Sequence, residues 1–285
     1  MRIGLIDYGL DVQTSITCAR LADALGFSRY WFTEHHAPAD PWGSAELLVA
    51  TIAMVTKRVR VGTGGSLLHY HNSLRLASDF RLMSLLFPDR IDLGLARGAP
   101  LLPGNRRRLY VEQNSDFDLA AREVNRLLSD SGTVDDLSVP RALPNHPASP
   151  TVYVLGSSAH ALTSARALGV CYVHGLFFGG TLETVRGLLD PDRDIVAIAG
   201  MCGVEDSHAQ RSLASDVRGI VPSVVGSASE CIRVMEAISR AANGAEVLFL
   251  DMSLDSKTRQ RTLVQLAAER SRTEGQFAGA GTKDA

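Results

Sequence analysis

Apolar positions along this 285-residue chain follow two rhythms: short unbroken apolar runs, and longer stretches with an apolar stripe at helical spacing. Residues 2–6 read as a buried strand. The stripe Ile16, Ala19, Ala22 and Leu25, opened by Thr14 or Ser15 and closed by Gly26, reads as the helix that follows. The next strand, 29–36, is aromatic at Tyr30, Trp31 and Phe32 and ends in Glu34, His35 and His36. A loop with Pro38, Pro41 and Gly43 leads to Ser44, which starts a helix through residue 55. Residues 59–65 form a third strand, and the stripe Leu74, Ala77, Phe80, Met83 and Leu86 a third helix opening at Asn72 or Ser73. A fourth strand, 91–96, stops at Arg97 and Gly98.

The second half keeps this alternation. A Pro-, Gly- and Arg-rich stretch, 99–108, precedes a helix near 116–128 and a Pro-rich connection, 139–150. Strands are then expected at 151–155, 170–173, 195–198 and 247–250, and helical segments at 157–167, 182–189, 208–217, 228–241 and 256–268. Eight strand–helix units imply an α/β fold whose parallel sheet closes as a barrel, with a doubly wound sheet as the alternative. The boundaries expected are one domain over residues 1–272 and a frayed tail over 273–285.

With 45% hydrophobic residues the chain can bury one large core. Lys and Arg total 29 against 31 Asp and Glu, so no charge excess argues for nucleic acid or an anionic membrane. Small-molecule chemistry is the better expectation. Cys18, Cys171, Cys202 and Cys231 are widely spaced and read as reduced core thiols. No run has the length of a signal peptide or a membrane span, and a cytoplasmic protein is expected.

Four strand ends carry polar chemistry to one edge: Glu34-His35-His36, Thr63-Gly64-Gly65, Arg97-Gly98 and Gly156-Ser157-Ser158. In parallel α/β proteins ligands bind at that edge. Gly156, Ser157 and Ser158 open a helix, where free N–H groups and the helix dipole suit a phosphate, although Ser is also a common N-cap. Arg97 offers a fixed positive charge or, equally, a rim salt bridge. Gly64 and Gly65 let a flat ring approach the backbone, or else mark a bulge. His35 is either an acid or base near neutral pH or a packed histidine. Adjacent strand residues point to opposite faces, so only Glu34 and His36 can share one, and no third ligand at convincing spacing supports a metal. His69 and His71 flank Tyr70 on the loop after the third strand and either line the pocket or, the reading preferred, are solvated loop residues, and Asp92 is expected to be structural.

The runs Trp31 to His36, Val61 to Gly65, Leu74 to Phe80, Pro88 to Gly98 and Val154 to Ser158 together resemble the bacterial luciferase-like flavin monooxygenases. The resemblance implies a (β/α)8 TIM barrel with shortened loops and lid in the second half. It also implies reduced FMN, supplied by a separate flavin reductase, and O2, which oxidise a small organic substrate through a flavin C4a-peroxide. By the resemblance, His35 supports that chemistry with Glu34 beside it. Gly64 and Gly65 match a position that often carries a non-proline cis peptide under the flavin ring. Arg97 matches a basic residue near the flavin, and Gly156, Ser157 and Ser158 match the phosphate-binding turn. A homodimer through the second and third helices is implied as well. Ser73 stands where many relatives have proline, and Ala161 where many have a hydroxyl. The chain is also shorter than typical relatives after Arg97 and between about 214 and 224, where the family keeps a mobile segment over the site. Alternatives are an F420-dependent oxidoreductase of the same superfamily and a non-catalytic flavin-binding or partner subunit.

Overall fold

The computed structural model describes residues 1–37, 40–98, 109–130, 138–184, 186–203 and 220–280. Their strands are β1 (Ile3–Asp7), β2 (Arg29–Phe32), β3 (Arg60–Leu67), β4 (Ile91–Ala96), β5 (Thr151–Gly156), β6 (Cys171–Gly175), β7 (Ile195–Cys202), β8 (Val224–Gly226) and β9 (Glu246–Asp251). Sequential pairing from β1 to β6 is parallel, and β6 pairs with β7, β7 with β9, and β9 with β1. Eight parallel strands therefore close into a barrel, the (β/α)8 architecture expected. β8 adds a short pairing to the upper end of β7, from Gly200 opposite Val224 to Cys202 opposite Gly226. The helices are α1 (Val12–Ala24), α2 (Ala45–Val55), α3 (Ser73–Leu86), α4 (Phe117–Ser129), α5 (Ala159–Leu168), α6 (Ala228–Ala241) and α7 (Ser256–Ala280).

Strand alternation divides the core into two layers. Tyr30 and Phe32 face the helices, whereas Trp31 between them turns inward and meets Tyr153 edge to face at 5.0 Å. Ile6, Val173, Ile195, Ala197, Ala199, Leu248 and Leu250 fill the interior around them. The amino-terminal end of the barrel is closed by charge. Arg29 donates to Asp92 (2.5 Å) and Glu246 (3.0 Å), Arg60 donates to Asp92 (2.6 Å), and Trp31 Nε1 donates to the same carboxylate (2.9 Å). Two guanidinium and two carboxylate groups balance one another, which makes their burial tolerable. Asp92 is structural, as expected.

Some boundaries differ from the sequence reading. Asp11, not Thr14 or Ser15, caps α1, its side chain accepting from Thr14 N at 2.8 Å. Among the described residues, a 3-10 turn, Leu182–Thr184, stands where a helix over 182–189 was expected; Gly187, at φ +75°, takes a left-handed turn conformation there. β8 went unread because a three-residue apolar run carries no period. α7 continues to Ala280, into the stretch expected to fray. The expected helix at 208–217, the 99–108 stretch, residues 281–285 and most of the shortened segment at 214–224 lie outside the described residues.

Candidate active site

The carboxyl ends of β2 and β3 meet at Glu34. Its carboxylate is 2% exposed and accepts from Leu67 N (2.8 Å), while His36 Nε2 (2.6 Å) and His71 Nε2 (2.7 Å) hold its two oxygens. β2 has ended at Phe32, so the chain is free to turn Glu34 and His36 onto each other. Burial alone would raise the Glu34 carboxyl, but the hydrogen bonds from His36 and His71, the His71 charge and the Leu67 N–H hold it below its usual range. Glu34 is therefore an ionised hub with its oxygens committed, not a group poised to donate a proton. His71 also faces Glu46 Oε1 at 3.4 Å. Burial works to lower the His71 imidazole, but the bond to Glu34 and the charges of Glu34 and Glu46 outweigh it and raise it. Glu46 is raised, first by burial and then by Glu34 despite His71.

Sequence reasoning missed Glu46, and singled out His71 without its link to Glu34. Glu46 opens α2 and His71 follows a 3-10 turn, Leu68–Tyr70, so neither belongs to the spacing of the β2 motif. His71 is not the solvated loop residue expected. Its backbone carbonyl accepts from Asn114 Nδ2 (2.6 Å), and Ser73, the residue in place of a proline, donates to Asn114 Oδ1 (3.2 Å). Glu34, Glu46 and His71 bring three ligand-type atoms within 4.8 Å of one another. Within that group His71 is hydrogen-bonded to Glu34, whereas Glu46 Oε1 is buried without a hydrogen-bond partner, 3.4 Å from His71 Nε2.

His35 stacks against Tyr8, ring centroids 4.7 Å apart, and lines a cleft of about 260 Å³ with His36, Asp40, Trp42, Gly43 and Leu109. The two histidines thus share this cleft, His35 against Tyr8 and His36 against Glu34. Gly64 and Gly65 are joined by a cis peptide. Pairing to β4 skips both, passing from Thr63–Leu93 to Ser66–Leu95. A Cβ at Gly65 would lie 2.9 Å from the Gly94 carbonyl oxygen, and one at Gly64 would lie 3.2 Å from Trp31. The strand packing itself therefore requires glycine at 65.

The remaining candidates lie at other strand ends. Arg97 is exposed and its guanidinium sits 5.7 Å from the centre of the Phe117 ring. Ser158 caps α5, accepting from Ala161 N (3.3 Å), and Ser157 lies beside Gly180, whose added Cβ would be 3.2 Å from Ser157 Cβ. Tyr172 Oη donates to the Gly156 carbonyl at 3.0 Å and so anchors this turn from β6. Ala161 fits against Gly156, where an added Cβ would come within 2.5 Å of its own. The side-chain-free backbone at Gly64 and Gly65 and the amino end of α5 suit a flat ring system with a phosphate.

Residues 4–190 match the family model described as luciferase-like monooxygenase. Among curated relatives, the N-acetyl-S-alkylcysteine monooxygenase of Bacillus subtilis (strain 168) is 29% identical over 180 residues, 61% of this chain and 54% of that protein. The uncharacterized protein YwcH of the same organism is 32% identical over 221 residues, 70% and 65% of the two chains. The chain spans about half to two thirds of the length of these relatives. The crystal structure of apo-MsnO8 superposes with a TM-score of 0.77 at 27% identity, covering 95% of this chain and 98% of that one. More distant structures share the fold. One is the oxygenating constituent of 3,6-diketocamphane monooxygenase from Pseudomonas putida in complex with FMN (17% identity, TM-score 0.67, 94% and 97% covered). Another is an F420-dependent secondary alcohol dehydrogenase with an F420–acetone adduct (14%, 0.64, 93% and 98%). With the family model matching well over half of its residues, the chain belongs to the luciferase-like monooxygenases, a family of enzymes.

Proposed function

We propose that this protein is a flavin-dependent monooxygenase that oxidises a small organic substrate with O2, using reduced FMN delivered by a separate reductase. The observation that carries the reading is the strand-end site of a luciferase-like barrel: a side-chain-free stretch at Gly64 and Gly65 beside histidines anchored on an ionised Glu34. The reduced flavin, when bound, supplies the electrons that activate O2. Gly64 and Gly65 would accept its ring, and Gly156, Ser157 and Ser158 at the start of α5 its phosphate, with Arg97 adding positive charge at the rim. His35, packed on Tyr8 and open to the cleft, would hold or move a proton beside the ring. Among the described residues no helix is long and apolar enough to cross a membrane, and we place the protein in the cytoplasm, where its four free thiols stay reduced.

The apolar side chains Leu47 (70% exposed) and Met54 (75%) on α2, with Leu82 (47%) and Leu86 (60%) on α3, support a homodimer through these two helices.

The test is an oxygen-free titration of the protein with reduced FMN and, in parallel, reduced F420, followed by admission of O2. Binding of reduced FMN followed by O2 uptake is expected. F420 binding without O2 uptake would instead make the protein a deazaflavin-dependent oxidoreductase, the chemistry of the F420-bound neighbour. If neither binds, the non-catalytic partner-subunit alternative replaces the proposal.

A further inference from the structure

The polar group at the ends of β2 and β3 holds more ligand atoms than its hydrogen bonds use. Among the described residues, Glu34, Glu46 and His71 are the one set of three whose ligand atoms, two carboxylate oxygens and an imidazole nitrogen, lie within 4.8 Å of one another. His71 Nε2 is 2.7 Å from Glu34 Oε2 and 3.4 Å from Glu46 Oε1, and Glu46 Oε1 is buried there without a hydrogen-bond partner. A buried carboxylate oxygen without a donor is unfavourable, and a cation bound to it removes that cost. Spacing along the sequence offers no such trio; the fold assembles it from the end of β2, the first turn of α2 and the turn after β3. The surroundings fix the ligands. His36 Nε2 lies 2.6 Å from the other Glu34 oxygen, Leu67 N donates to Oε2 at 2.8 Å, and Asn114 Nδ2 holds the His71 carbonyl at 2.6 Å. Outer contacts of this kind orient the ligands of metal sites.

We propose that Glu34, Glu46 and His71 bind one divalent cation of the zinc class, which clamps the end of β2, the start of α2 and the turn after β3 together beside the cleft. One imidazole and two carboxylates suit Zn2+, with water in the fourth position. Tetrahedral bonds of about 2.0–2.1 Å separate ligand atoms by about 3.3 Å. The His71–Glu46 pair already stands near that spacing, at 3.4 Å, and the His71–Glu34 pair, at 2.7 Å, opens by about 0.6 Å as the metal replaces the proton between them. The Nε2–H bond breaks, its electron pair passes to the metal, its proton goes to water, and Nδ1 keeps the other proton. A divalent ion, two carboxylates and a neutral imidazole then sum to zero charge, which suits a buried position. The proposal goes beyond the flavin reading and does not depend on it.

The test is a titration of the full chain, stripped with a chelator and then freed of it, with Co2+ followed by Zn2+, in the absence of flavin. One Co2+ per chain should bind with the strong visible absorption of four-coordinate cobalt, and Zn2+ should displace it and raise the melting temperature. Glu46→Gln, at a half-buried position, should weaken Zn2+ binding at least about 100-fold, whereas His160→Gln, at the exposed His160–Asp118 pair, should leave it unchanged. X-ray absorption of the Zn2+ form should show imidazole and carboxylate ligation. The absence of saturable binding at millimolar metal would overturn the proposal. Thiolate ligation, which would move the metal to the cysteines, would overturn it too, as would full affinity in Glu46→Gln. Failure of the protein to bind reduced flavin leaves each of these readouts untouched.

Discussion

His71 Nε2 lies 2.7 Å from Glu34 Oε2, which ties the turn after β3 to the end of β2 through a buried carboxylate. The same carboxylate carries His36 and the Leu67 N–H, so three polar groups from two strand ends depend on one side chain. Glu34→Ala should strip the acceptor from all of them and cost about 3–5 kcal/mol in urea unfolding. A midpoint within experimental error of wild type would mean that the hub does not hold the site together.

Stability should depend on pH in a way that reports this pair. Glu34 is depressed from its usual 4.5 despite burial, by the hydrogen bonds from His36 and His71, so its contribution is present above 4.5 and is lost as pH falls through its lower folded value. His71 is raised from its usual 6.5, its bond and charge interaction with Glu34 overcoming burial, so its contribution is complete below 6.5 and is lost as pH rises through its higher folded value. Thermal melting should show both declines, and His71→Gln should lack the alkaline one. An alkaline decline that survives the substitution would assign it to another group.

Gly65→Ala would set a methyl 2.9 Å from the Gly94 carbonyl oxygen and 3.3 Å from Leu155. Overpacking of this kind costs about 1–3 kcal/mol, and equilibrium unfolding should show it. Full tolerance would mean that β3 and β4 are less closely apposed than the structure has them.

Two buried aspartates should respond in opposite directions. Asp92→Ala removes a carboxylate shared by Arg29, Arg60 and Trp31 and should destabilise by about 3–5 kcal/mol, with flavin affinity of the folded fraction unchanged. Asp251 is raised by burial, against the hydrogen bonds from Ser253 and the charge of Arg259, and its Oδ2 has no hydrogen-bond partner. A buried acid of this kind weakens the fold once it ionises, so Asp251→Asn should stabilise at neutral pH, by on the order of 1 kcal/mol. Destabilisation by Asp251→Asn would show that its charge is needed beside Arg259.

All eight strands of the closed barrel were legible as apolar runs, because a strand buried on both faces needs them and the βα rhythm set their spacing. Among the described residues the helix over 182–189 was not realised although its pattern allowed it: a 3-10 turn at Leu182–Thr184 and a left-handed Gly187 stand there, and a further turn at 191–193 precedes β7. In the site, Glu34, His35 and His36 stood out because polar residues ending an aromatic strand are conspicuous. Glu46 did not, and His71 was noticed only as a candidate lining residue, since their link to Glu34 exists only after α2 and the turn after β3 fold over the same strand end. Glu34 and His36 meet, and His36 and His35 share a cleft, but strand alternation governs neither, because the strand stops at Phe32.

The central claim is that the strand-end site receives a phosphorylated reduced flavin at the start of α5. Ser158→Asp tests it most directly: aspartate still caps the helix, accepting from Ala161 N, but places a negative charge where the phosphate would bind. Oxygen-free titration with reduced FMN should show at least about a tenfold loss of affinity, equivalent to about 1.4 kcal/mol, with the melting temperature retained. Affinity equal to wild type in a folded Ser158→Asp protein would contradict this placement of the cofactor.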